Sequence, residues 1–106
     1  MAKTTIACVQ MDCEIGNVVV NRRKIVGRLR EAAGRGARIS IFPECALTGY
    51  CFDSLEEAAP FAEHLDGPSA QAIAEVCREA GVYAVVGFIE RDGEKCYNAA
   101  MMVGPQ

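Results

Sequence analysis

Apolar and polar positions follow two different periods along this chain. Residues 4–11 (TTIACVQM) are β-branched and apolar with few polar interruptions, the pattern of a strand covered on both faces. Residues 12–16 break that pattern, and Asn17 stands where a helix N-cap belongs. From Val18 to about Gly34 the period turns helical. Val18, Ile25, Leu29 and Ala32 share a stripe with Val26 and Ala33 beside it, and Arg23, Lys24, Arg30 and Glu31 lie opposite. Gly34 and Gly36 are natural stops. A strand over residues 38–42 then closes a β–α–β unit, whose strands should be parallel and whose crossover should be right-handed.

After Tyr50 the pattern is less regular. Asp53 or Ser54 can cap a short helix from Leu55 to about Leu65, which Pro60 splits or delays. Asp66-Gly67-Pro68 is a break, and residues 69–80 predict a second amphipathic helix with Ile73, Val76, Cys77 and Ala80 inward and Gly81 ending it. Residues 82–90 (VYAVVGFIE) are the strongest strand pattern, Asp92-Gly93 signals a tight hairpin, and residues 95–103 (KCYNAAMMV) form the return strand. Apart from the short piece after Tyr50 the order is β-α-β-α-β-β. That is one α/β domain over residues 1–106 with a mixed sheet. Its last strand is apolar and uncovered, so a partner or more chain should shield it.

Composition narrows the class. The chain has 106 residues, 51% apolar and 24% charged, ordinary values for one globular domain. Its apolar runs are strand-length and its first residues lack the apolar core of a signal peptide, so a soluble cytoplasmic protein with no membrane partner is expected. Six cysteines without a C-x-x-C pair, in such a chain, read as reduced thiols packed as small hydrophobes; with His64 the only histidine, a metal site has little support. The net charge of −3 is uneven: residues 1–53 hold eight Lys/Arg against five Asp/Glu, and residues 54–106 three against nine. No aromatics interleave with the arginines, so the basic stretch reads as a solvated helix face and not a nucleic-acid surface.

Candidate chemistry gathers in residues 38–50 (RISIFPECALTGY). Pro43 cannot extend a central ladder, so the strand should stop at Phe42, leaving Glu44 where a buried strand opens into a loop. In open α/β sheets ligands bind there. Taken alone, Glu44 reads as a solvated loop residue, a helix-cap helper or a pocket carboxylate; its position favours the pocket, where burial would suit a general base. Adjacent extended residues point in opposite directions, so Cys45 should face away from Glu44 and read as packing, not as a nucleophile. His64, in a Glu-rich helical patch, reads as a surface side chain. Gly49 should take positive φ in the turn Thr48-Gly49-Tyr50. Tyr50 then either lines a pocket beside Glu44 or packs its ring and hydrogen-bonds its hydroxyl. The first β–α turn carries Asp12 and Glu14 where a phosphate would sit, which disfavours a nucleotide or flavin cofactor and with it a flavodoxin-like binding domain.

Together these residues resemble the N-terminal part of the nitrilase superfamily, the carbon–nitrogen hydrolases. The matching pieces are the opening strand Ile6 to Met11, then Gly16-Asn17 leading into a helix. Phe42-Pro43-Glu44 with Ala46-Leu47-Thr48-Gly49-Tyr50 follows, then Gly67-Pro68-Ser69, and last Gly87-Phe88 with Tyr97-Asn98-Ala99-Ala100. The resemblance implies part of an α-β-β-α sandwich that forms homo-oligomers when intact. It also implies cofactor-free hydrolysis of a small amide, N-carbamoyl compound or nitrile by a Glu-Lys-Cys set, with Glu44 as general base. Tyr50 and Cys51 become substrate-pocket candidates. The family's lysine lies in a Lys-x-His-Leu segment and its cysteine further on. Lys3, Lys24 and Lys95 are the only lysines here, and none has that context. The expectation is therefore an N-terminal fragment, inactive alone, of an amidase-type hydrolase. The alternative is a non-catalytic α/β unit that needs a partner chain for assembly.

Overall fold

The computed structural model describes residues 2–106. Helix α1 (Val18–Gly34) begins where expected, with the Asn17 side chain accepting the Val20 N–H at 3.3 Å. Its buried side is Asn21, Ile25 and Leu29, while Val18 is only half-buried. The expected apolar stripe is thus interrupted by an amide. Helix α2 (Leu55–Ala58) is capped by Ser54 and passes into a 3₁₀ turn, Ala59–Phe61, with Pro60 inside it. No helix continues to Leu65. Glu63 instead bonds to β3 (Tyr83–Asp92) through its N–H to Ile89 O and its carbonyl to the Arg91 N–H. His64 is exposed, but on this extended segment and not on a helix. Helix α3 (Pro68–Ala80) starts on its proline and ends at Gly81, which sits at φ +67°. Ile73, Val76 and Cys77 are buried as expected, whereas Ala80 is exposed.

Strands β1 (Ile6–Cys8), β2 (Ile39–Ile41), β3 and β4 (Lys95–Val103) lie in that order in one sheet, parallel, parallel and antiparallel. The first two are shorter than their apolar runs because parallel pairing spans only Ile6 to Cys8 against Ile39 to Ile41. The long hairpin closes on Gly93-Glu94, so β3 runs on to Asp92, paired with Lys95.

Alternation decides which face is covered. Ser40, Ala84, Val86, Phe88 and Met101 point toward α1 and α3 and form the core with Ile25, Leu29, Ile73 and Val76. The opposite face carries Ile6, Ile41 and Met102 at 53%, 39% and 63% exposure. The expectation that β1 is covered on both faces therefore fails among the described residues, which place no second layer on that side.

Candidate functional site

The last ladder bond of β2 is donated by Phe42 to Val85 O at 2.8 Å, and the next bond to β3 is donated by Ala46 to Gly87 O at 2.9 Å. Between them Pro43, Glu44 and Cys45 arch over Gly87. A Cβ at Gly87 would lie 2.5 Å from Pro43 O, 2.6 Å from Cys45 N and 2.8 Å from Glu44 Cα, so only glycine admits the arch. Cys45 turns the chain at φ +48°, a left-handed conformation rare outside glycine and asparagine. Its carbonyl accepts from Thr48 and Gly49, and Gly49 takes φ +72° as expected.

The turn is anchored from behind by Asn21, which is fully buried. Its Nδ2 donates to Leu47 O at 2.9 Å and Glu14 O at 2.7 Å, and its Oδ1 accepts the Glu14 N–H at 2.8 Å. Gly16 N–H adds a bond to Thr48 O at 2.8 Å. One amide thus ties α1, the loop after β1 and the turn after Glu44 together.

Glu44 itself is exposed, not buried in a pocket. Its Oε1 accepts from Asn98 Nδ2, in β4, at 2.5 Å. Asn98 Oδ1 in turn accepts from Cys45 Sγ at 3.7 Å. The expectation that residues 44 and 45 face apart assumed extended backbone, and the left-handed Cys45 turns both side chains onto one amide. Burial, then the neighbouring Glu44 and Cys13, raises the Cys45 thiol above its ordinary value. A buried, protonated Cys45 fits packing better than nucleophilic work.

Glu44, Tyr50 and Cys51 line one cavity of about 280 Å³ with Met11, Cys13 and Gly49. Tyr50, 68% exposed, also lines a neighbouring cavity of about 260 Å³ with Cys45, Phe52, Tyr97 and Asn98. A larger cavity of about 460 Å³ lies between α3 and β4, but Glu44, Tyr50 and Cys51 are not among its walls. Lys3, Lys24 and Lys95 line none of the three. Among the described residues no group of three or more His, Cys, Asp or Glu could hold a metal ion, and no helix is long and apolar enough to cross a membrane. Asn98 and Gly87 stood in the sequence only as parts of a motif. The signal that marks Asn98 is an amide in mid-strand, where asparagine is disfavoured.

A family model for the carbon-nitrogen hydrolases matches residues 5–106. The chain belongs to the carbon-nitrogen hydrolase family. It is 36% identical to a nitrilase of Pyrococcus abyssi over 102 residues, covering 95% of this chain and 39% of that protein. It is 38% identical to omega-amidase NIT2 of Danio rerio over 78 residues, 73% of this chain and 27% of the relative. Its fold matches a CN-hydrolase superfamily protein from Xanthomonas campestris with a TM-score of 0.80 or better (0.83), at 24% identity, over 99% of this chain and 38% of that one. The chain thus spans well under half the length of these relatives, and its mixed sheet and helices are those of this hydrolase fold.

Proposed function

We propose that this chain supplies the general base, Glu44, of a hydrolase that cleaves non-peptide carbon–nitrogen bonds in small amides, N-carbamoyl compounds or nitriles. The observation that carries the reading is the placement of the Glu44 carboxylate. It projects from the arch at the end of β2, held by Asn98 and lining one cavity with Tyr50 and Cys51. In an amide the chemistry runs as follows. Glu44 takes the proton of a cysteine thiol, and the thiolate attacks the carbonyl carbon. The proton passes to the leaving nitrogen, and the C–N bond breaks to give a thioester. Glu44 then accepts a proton from the water that hydrolyses that ester. A lysine stabilises the oxygen as negative charge develops on it. Among the described residues no lysine lines the cavity, and burial raises the thiol of Cys13, which shares the wall with Cys51, Asp12 and Glu44. The nucleophile and the lysine are therefore assigned to polypeptide that completes the site.

The test compares the 106-residue chain alone with the chain joined to a family segment carrying the lysine and cysteine. The chain alone should show no cysteine-dependent hydrolysis of amides or nitriles. The completed protein should hydrolyse them and lose that activity in Glu44→Gln; turnover that survives this substitution overturns the assignment. A second reading, a non-catalytic unit completed by a partner chain, draws on the uncovered face at Ile6, Ile41 and Met102. A soluble monomer that unfolds cooperatively without a partner would count against it.

A further inference from the structure

The register of the hairpin sets Asn98 opposite Ile89, on the same side of the sheet as the arch over Gly87. Its side chain has two chemically different ends, and both are engaged. A carboxylate only accepts, so the amide nitrogen must face Glu44 Oε1, at 2.5 Å. A protonated thiol donates, so the amide oxygen faces Cys45 Sγ, at 3.7 Å. Burial, with Glu44 and Cys13 adding to it, keeps that thiol protonated above its ordinary range. The two contacts select one orientation of the amide and one position of the carboxylate. Gly87 and the left-handed Cys45 fix the backbone beneath.

We propose that Asn98 is a positioning residue for Glu44, with the Cys45 thiol selecting the amide orientation that donates to the carboxylate. The proposal rests on Glu44 acting as the general base. A donor held on Oε1 directs proton uptake to Oε2, to which none of the described residues donates. Proton transfer then runs through one oxygen in one orientation, as preorganised catalysis requires.

The test follows two signals of the isotope-labelled chain through a pH titration: the Asn98 side-chain amide and the Glu44 carboxyl carbon. The amide protons should shift with the same midpoint as Glu44, and that shift should vanish in Glu44→Gln. Cys45→Ala should average the Asn98 amide signals, and Cys45→Ser, which restores a donor, should recover them. An Asn98 amide that ignores both pH and Glu44→Gln overturns the proposal. Glu44→Gln and Cys45→Ser both leave residue 98 as asparagine, so the result does not depend on an Asn98 variant folding. The readout needs no turnover. An insensitive amide sinks the positioning role alone, and turnover that survives Glu44→Gln sinks the base assignment alone.

Discussion

Gly87 has no side chain, yet the placement of Glu44 depends on it. The three atoms a Cβ would strike, Pro43 O, Cys45 N and Glu44 Cα, are all backbone, so no flexible side chain can swing aside. Gly87→Ala should lift the arch, lower stability by about 1–3 kcal/mol as overpacking does, and break the Asn98–Glu44 bond. Urea unfolding and the Asn98 amide signal report the two effects separately; an unchanged amide with unchanged stability would refute the close approach. Asn21 works by the opposite device, a buried polar group with every partner in place. Asn21→Leu removes the amide and strands the Leu47 and Glu14 backbone groups it satisfied. The expected cost is about 1–3 kcal/mol, measurable as a lower urea midpoint. A neutral result would mean water reaches those groups.

At the scale of elements, α3 is pinned at its start by side chains, not by an N-cap of its own. The N-cap residue is Gly67, with no side chain to offer. Glu63 fills the role from outside, accepting the Ser69 N–H at 2.9 Å and the Ser69 hydroxyl at 2.6 Å, while Arg22 Nε of α1 donates to the same hydroxyl at 2.9 Å. Glu63→Ala should therefore cost about 1–3 kcal/mol through loss of charge-assisted bonds. It should also loosen amide-exchange protection at the first turn of α3 while the last turn stays protected. Uniform loss along the helix would argue against a local cap. The helices and the hairpin were legible because each carries its own periodicity and stop signals: α1 from Asn17 to Gly34, α3 up to Gly81, the hairpin at Gly93. The lengths of β1 and β2 were not, because pairing and not propensity sets where a ladder ends. Glu63 was equally hidden, since a helical pattern around Pro60 gives no hint that residue 63 joins β3. At the candidate site, the strand-to-loop junction that carries Glu44 was legible from Pro43, whereas Cys51 was named only through the family resemblance. The left-handed turn at Cys45 was not legible, because cysteine carries no marker for positive φ.

Two properties belong to the molecule as a whole. Burial raises the thiols of Cys13, Cys45 and Cys77 above the ordinary value of 9.0. The folded state then holds these protons more tightly than the unfolded one. Stability from this source is complete below the unfolded thiol value and is lost as pH rises from there through the raised folded values. The urea midpoint should hold between pH 7 and 8 and fall on the alkaline side of about 9. Cys77→Ala should flatten that fall, and an alkaline decline that Cys77→Ala leaves unchanged would place its cause elsewhere. The second property is the sheet's uncovered side. Ile6, Ile41 and Met102 lie on three strands of one face, all substantially exposed, and contiguous apolar area of this kind favours association. At about 25 cal/mol per Å² of apolar surface removed from water, a few hundred Å² is enough to drive contact at modest concentration. The 106-residue chain should therefore self-associate with rising concentration in sedimentation measurements. A paired Ile41→Lys and Met102→Lys substitution should shift it toward monomer. The same pair should barely change the urea midpoint of the dilute protein, because neither side chain is buried in the core. Dissociation without loss of stability separates a docking face from a folding core; a chain that stays monomeric at high concentration with the native face intact would show that this side needs no cover.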